Sequence, residues 1–303
     1  MKIITTLLIL IASTFSFAQT ISKDTSVSFI ANWSKGEEKV IEIVRTKKTS
    51  RSGKPAPPFN FSYEAHVSIL DSSKEGYTIK WVFHLTDKFK EENPLLAMSM
   101  PVYEGLKMIF TTTSVGSFKE LINWQEVKDA YTSMMEQSIP KNISDSTRII
   151  INKSNELFNS RAMVEGALIK EIQLYYAPYG GEFTSQGIKV GTSMGNPFGG
   201  EPMPAITVQL LVESNADSYT AFFSQELDST GMDIMMKSML KKFDIPLDSF
   251  KENEKNMLSS FQMKDSNQYK LQKSTGWISE LTNERTAMMA DTKQTEIFSF
   301  KLK

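Results

Sequence analysis

The chain has 303 residues, no cysteine, two histidines, and 34 basic against 35 acidic side chains. Those counts exclude disulfides, thiol nucleophiles and acylation of an N-terminal cysteine, and they leave no basic excess to hold a nucleic acid backbone. The length is enough for one large core or two small ones.

Met1 and Lys2 precede an apolar run from Ile3 to Ala12, and Ser16-Phe17-Ala18 sets small residues where a signal peptidase cuts. This predicts a secretory signal peptide over residues 1–18 and a mature chain from Gln19, periplasmic or extracellular. The run is too short to span a bilayer, and no later run is long and apolar enough to do so.

Asp24 to Asn32 is expected as a first strand, Trp33 to Glu37 as a turn, and Lys39 to Lys47 as a second strand with apolar residues on both faces. The basic cluster Arg45, Lys47, Lys48, Arg51 and Lys54 runs from that strand into Thr49 to Pro58, a stretch that its glycine and prolines mark as an exposed loop. The cluster reads as a solvated loop, with a patch for an anionic surface as the alternative. From Phe61 to Leu85 two alternating runs flank a polar turn. Tyr63, Ala65, Val67 and Ile69 on the first, with Tyr77, Ile79, Trp81, Phe83 and Leu85 on the second, share the apolar face of an antiparallel hairpin. Leu106 to Thr113 and Phe118 to Ile122 extend the hairpin into a meander.

The period then changes to that of a helix. Asn123, with Glu126 three residues on, reads as a capping box that opens a helix ending before Pro140. A short strand is expected at Arg148 to Ile151, and one helix from Arg161 to Tyr176, stopped by Pro178 and Gly180-Gly181. Gly187 to Pro204 reads as a run of turns. It is not a phosphate-binding loop, because no Lys with Ser or Thr follows and the next segment is a strand. Ala205 to Glu213 and Ser218 to Leu227 form a second hairpin, with Ile206, Val208, Leu210 and Val212 on one face. Met232, Met235, Met236, Met239, Leu240 and Phe243 make the apolar face of a third helix. Strands are expected at Gln268 to Lys273, Trp277 to Thr282, Arg285 to Met289 and Glu296 to Leu302, with turns at Ser274-Thr275-Gly276 and Asn283-Glu284.

Several stretches carry a resemblance. They are Trp33-x-Lys35-Gly36-Glu37, Gly76-Tyr77-Thr78-Ile79-Lys80-Trp81, Gly116-Ser117-Phe118-x-Glu120-Leu121-x-Asn123-Trp124, Asn196-Pro197-Phe198-Gly199-Gly200 and Ser274-Thr275-Gly276-Trp277. With the signal peptide, they resemble uncharacterised exported proteins of Bacteroidetes over most of the mature chain. The motifs are of fold type and imply no chemistry. The outline is also similar to periplasmic lipoprotein carriers, in architecture alone.

The fold class is α+β: large curved antiparallel β-sheet with about three amphipathic helices packed on its apolar face. The mature region 19–303 forms either one such sheet or two similar lobes, 19–140 and 141–303. For function, aromatic and methionine side chains supply the strongest pattern. Tyr63, Tyr77, Trp81, Phe83 and Phe110 on sheet faces, and Met235, Met236 and Met239 on a helix, are the candidate ligand-binding residues of a non-enzymatic carrier for an apolar or amphipathic molecule such as a lipid. The alternative is a cell-envelope structural or assembly factor that binds another protein by an edge strand or by the Gly/Pro loop. A hydrolase using two of Glu104, Glu120, Glu126, Glu165 and Glu171 is the third reading. No catalytic residue, cofactor or metal is assigned. The weak candidate for a metal is Glu64, His66 and His84, which a symmetric hairpin turn would bring onto one face.

Overall fold

The computed structural model describes residues 26–92, 104–138, 158–196, 201–242, 244, 246, 262–289 and 291–303. The expected signal peptide, the strand from Arg148 to Ile151 and the turn 197–200 lie outside the described residues.

The N-terminal part holds β1 (Ser26–Ser28), β2 (Glu38–Arg51), β3 (Lys54–Pro55), β4 (Phe59–Ser73), β5 (Gly76–Leu85), α1 (Asp87–Glu92), β6 (Lys107–Thr112), β7 (Phe118–Leu121) and α2 (Trp124–Ser138). Then come α3 (Arg161–Leu168), α4 (Lys170–Tyr176), β8 (Glu182–Thr184), β9 (Ile188–Met194), β10 (Met203–Ser214), β11 (Ser218–Leu227) and α5 (Ser229–Lys242). The chain closes with β12 (Gln262–Gln272), β13 (Ile278–Met289) and β14 (Thr292–Leu302). β1 pairs with β8, and the other strands make one antiparallel sheet in the order β7-β6-β5-β4-β2-β14-β13-β12-β11-β10-β9, with β3 beside β2 off this path. Strands from both halves of the chain therefore lie in a single sheet.

The hairpin β4–β5 has the register its alternation predicts, with Tyr63 opposite Leu85, Val67 opposite Trp81 and Glu64 opposite His84. The second hairpin, β10–β11, turns on Asn215, whose side-chain oxygen accepts from the backbone N–H of Asp217 at 3.0 Å and of Ser218 at 2.8 Å. Asp228 caps α5 by accepting from the Gly231 N–H at 2.7 Å.

Five local expectations are corrected. Thr49 to Pro58 is only partly loop: β2 continues to Arg51 and folds back through Ser52 and Gly53, both at positive φ, into β3. Those two left-handed residues match the twist of a two-residue hairpin turn. Gly187 to Pro204 is not all turns, because β9 occupies Ile188–Met194 at a sheet edge, where a glycine costs little. The region from Arg161 to Tyr176 is two helices, broken at Ile169 by a backbone of φ −120° and ψ 31°. No turn falls at Asn283-Glu284. Asn283 is fully buried within β13, where its amide N–H donates to Asn267 at 2.9 Å while its side-chain oxygen has no partner among the described residues. Asn123 keeps only half of the capping box: its side-chain oxygen accepts from the Ile109 N–H of β6 at 2.8 Å, and its amide N–H groups donate to the Lys107 carbonyl at 3.0 Å and to the Glu126 carboxylate at 3.2 Å, tying α2 to β6.

Strand register puts cross-strand neighbours on one face. One row runs without interruption through Leu211, Ala221, Tyr269, Leu281, Phe300, Ile43, Tyr63 and Leu85. All eight are buried. The helices α3 and α4 cover this face, and α4 inserts Tyr175 and Tyr176 against Trp81 at 5.9 and 6.3 Å between ring centroids. Trp33 joins from the β1–β2 connection and stacks on Trp277 at 4.8 Å. Gly276, at φ 67°, lets the β12–β13 turn press on the backbone of Ile30 and Ala31, where a Cβ would approach to 2.7 Å.

Two of the three buried tryptophans, Trp81 and Trp277, differ in how their indole N–H is met. Trp277 donates to Glu37 at 2.8 Å, whereas Trp81 has no partner among the described residues. Trp277→Phe should therefore cost about 1.5–3 kcal/mol more than Trp81→Phe, the net worth of a hydrogen bond to a charged group. Urea melts of the two variants measure the difference, and equal losses would show that the Glu37 bond contributes nothing net.

Candidate functional site

The structure splits the predicted ligand-binding residues into two groups. Tyr63, Trp81, Phe83 and Phe110 come together in the large core, and Tyr77 packs at its margin on Trp33 at 5.0 Å. The space around them is occupied by the chain's own rings: Trp33, Tyr175, Tyr176, Tyr179 and Trp277. Composition alone hides these partners, which come from connections and from α4. Met235 lies elsewhere, in a separate cluster with Met203, Ala205 and Leu227, ringed by Met194, Met232, Ile234 and Met263. Met236 and Met239 are half-buried on the same helix, α5. This helix packs on β10 and β11.

Between the two apolar clusters the same face of the sheet turns polar. The row beside the apolar one holds Gln209, Phe223, Asn267, Asn283, Phe298, Arg45 and Phe61. The next holds Thr207, Gln225, Asp265, Arg285, Glu296 and Lys47. Across β12, β13, β14 and β2 the signs alternate: Asp265, Arg285, Glu296, Lys47. Arg285 meets Asp265 with two parallel N–H···O bonds of 2.7 and 2.5 Å. Glu296 receives Arg45 through Nε at 2.7 Å and also through Nη2, while Lys170 of α4 donates to its other oxygen at 2.6 Å. Phe298 lies under both cations, 5.2 Å from the Arg45 guanidinium carbon and 4.7 Å from Lys170 Nζ. Glu171, next on α4, accepts from the Tyr63 hydroxyl at 3.1 Å.

The two carboxylates are the deeper partners. The side chains of Asp265 and Glu296 are 10% exposed, against 42% for Arg45 and 31% for Arg285. Burial alone would raise the Glu296 carboxyl, but the hydrogen bond and charge of Lys170, joined by Arg45, outweigh it and hold the group below the ordinary glutamate value. Burial and the Arg285 charge lower the Lys170 ammonium against the pull of Glu296. Burial also works against the charged Arg285, and Asp265 more than offsets it. Each guanidinium has five N–H groups and gives two to its carboxylate, so both keep donors.

On the opposite face the hairpin register brings Glu64, His66 and His84 together, despite a shift between Ile69 and Asp71. The two imidazoles stand 4.4 Å apart between centroids, and His66 Nε2 is 3.5 Å from Glu64. Lys303 takes Glu64 at 2.7 Å, and His84 pairs with Glu104 at 3.0 Å. Among the described residues no group of three or more His, Asp and Glu is placed to hold a metal ion. The five candidate hydrolase carboxylates are each engaged separately: Glu104 by His84, Glu120 by Arg161, Glu126 by Asn123, Glu165 by the Leu121 N–H, and Glu171 by Tyr63.

Comparison with protein-family models finds no match, and comparison with curated proteins finds none that is significantly similar.

The charged band gives an acid-sensitive element. Glu296 has a depressed value when folded, so as pH falls the unfolded chain takes up the proton first. Its stabilisation is complete above the ordinary value of 4.5 and is lost as pH falls through the depressed one. Glu296→Gln should lower stability at neutral pH by about 2–3 kcal/mol, short of the ~3–5 for breaking a fully buried pair because Arg45 reaches solvent. The variant should also flatten the decline in acid. Urea melts on the acid side of neutrality check both, and parallel declines would assign acid sensitivity to other groups.

Proposed function

We propose that this chain is an exported, non-enzymatic binding protein for an amphipathic molecule with an acidic head and an apolar tail. One observation supports the reading above the others. On single strands of the helix-covered face, the charged band stands one step from the methionine cluster. Asp265 and Met263 are two residues apart on β12, Thr207 and Ala205 on β10, and Gln225 and Leu227 on β11. Two residues on one strand face are about 7 Å apart, the span between a head group and the first part of its tail.

The band has the right sign. Arg45, Lys47, Lys170 and Arg285 face Asp265, Glu296 and Glu171, which leaves an excess of one positive charge. Arg45 and Arg285 keep donors in the planar geometry that fits a carboxylate or phosphate. Methionine is pliable and suits tails of varied shape. Within this reading Met235, Met236 and Met239 line the tail site. Tyr63, Tyr77, Trp81, Phe83 and Phe110 act as the wall behind the head group. Curvature of the sheet around the ligand and export after cleavage near Ala18 belong to the same reading.

A second reading is an envelope assembly factor that adds a partner's strand to the sheet. It is favoured by β9, which pairs on one side only among the described residues, and by Ile206 and Val212, 40% and 46% exposed on neighbouring β10.

Native mass spectrometry of protein purified from its own envelope should show a bound amphiphile. In titration, a long-chain carboxylic acid should bind and the alcohol of equal chain length should bind at least about tenfold more weakly, the worth of a charged hydrogen bond. The double change Asp265→Asn with Arg285→Gln removes the pair without leaving a lone charge, and it should erase the preference. A clean apo mass together with no binding of either chain would overturn the carrier and leave the assembly factor.

A further inference from the structure

We infer that the tip formed by β2, β3 and the start of β4 is a docking surface for an anionic lipid bilayer. Between Glu42 and Glu64 the chain has five cations, Arg45, Lys47, Lys48, Arg51 and Lys54, and no acid. Arg45 is engaged with Glu296 on the inner face. The other four are exposed, and Lys293 joins them from β14, one residue from the Arg51–Thr292 pair. The only carboxylate on the paired segment 291–295 is Asp291 and Glu296 follows it inward. Asp291 already receives the Ser52 hydroxyl at 2.5 Å and faces Arg51 at 3.9 Å. Lys47, Lys48, Lys54 and Lys293 have no ion-pair partner among the described residues.

The placement argues for a surface and not a groove. Lys47 and Arg51 lie on the inner face of β2, and Lys48 lies on the outer face with Lys293. Cations on both faces of a ribbon meet one partner together only when the ribbon stands end-on to it. The tip itself is apolar: Pro55, Ala56, Pro57 and Pro58 are exposed, and Phe59, opposite Lys47, is 45% exposed. A basic rim around a short apolar tip matches the order of layers at a bilayer, phosphate outside and hydrocarbon within. The tip is also preformed, since Ala56 donates to the Thr49 carbonyl at 2.8 Å and the turn is closed at Ser52-Gly53. Little ordering has to be done on contact. This inference uses none of the methionine cluster and shares only Lys47 with the ligand reading.

Flotation of the intact protein with phosphatidylcholine vesicles, with and without phosphatidylglycerol, tests it. Binding should need phosphatidylglycerol and should vanish at high salt, where surface charges are screened. Neutralising Lys48 and Lys54 to Gln should weaken it by about twenty-five-fold, at about fivefold per cation near an anionic surface. Both side chains are exposed, so circular dichroism should stay that of the parent. Phe59→Ser should reduce binding that persists at intermediate salt. Equal binding to both vesicle types, or an unchanged double variant, would overturn the proposal. So would retention on DNA without flotation, which would assign the tip to nucleic acid.

Discussion

The pairing of β2 with β14 is the constraint on which the rest of this structure depends. Each half of the chain lays down strands that neighbour their predecessors, β4 to β7 on one side and β9 to β13 on the other. Tight turns or connections that carry a helix join those. The seam between them joins residues about as far apart as the chain allows, with Arg45 and Glu296 separated by 251 positions. Until it forms, no cross-sheet row is continuous, and neither the apolar row nor the charged band exists. Closing so long a loop before any contact rewards it is slow and entropically costly. The seam compensates with eleven paired residues from Thr292–Arg51 to Leu302–Ile41, and with the Arg45–Glu296 bond lying across it.

Once the seam is in place, position along the strands decides chemistry. At one level β10 to β5 contribute only apolar side chains, and α4 seals them with two tyrosines. One level on, Asn283 donates to Asn267, and Asn267 donates in turn to the Phe223 carbonyl. One further, the charges alternate in sign and each has an opposite neighbour. The same face thus passes from dry to wet over three residues per strand. Helix α4 spans the boundary: Ile172, Tyr175 and Tyr176 are buried in the core while Lys170, at its first residue, reaches Glu296.

Much of this was legible in the residues. The alternation from Phe61 to Leu85 gave the correct face and register, because the hairpin turn is local and both strands obey it. Helix α5 was legible from its methionines and from Asp228 at its cap. The charged band was not. Its members, Arg45, Lys170, Asp265, Arg285 and Glu296, are scattered charges in separate stretches, and only distant pairing shows that they share one face. The polar pair Asn283-Glu284 reads as a turn for the same reason. A signal was present: in β12 and β13 the inward positions change from Leu271, Tyr269 and Leu281 to Asn267, Asp265, Asn283 and Arg285 in step. Two neighbouring strands whose buried parity turns polar together point to a shared band and not to two surfaces. The aromatic candidates were legible as a set, but what fills the space among them was not, since Trp33, Tyr179 and Trp277 come from connections and not from strands.

The inner face of β2 shows why burial, more than charge, decides what each cation does. Ile41 and Ile43 lie in the core, Arg45 is half-buried, and Lys47 and Arg51 are exposed. Arg45 sits where the dielectric is low enough to make an unpaired guanidinium costly, so Glu296 is required beside it and its charge is largely neutralised. Two residues on, Lys47 is hydrated and needs no partner, so its charge acts outward over the screening length of the solvent. Replacing Arg45 by a neutral residue would strand Glu296 and disturb the seam, while replacing Lys47 would leave no buried charge unpaired and would change the field at the tip and at the edge of the band. The fold therefore separates a structural use of positive charge from an outward-facing one along a single strand, with Phe298 and Phe59 marking the two ends of the transition.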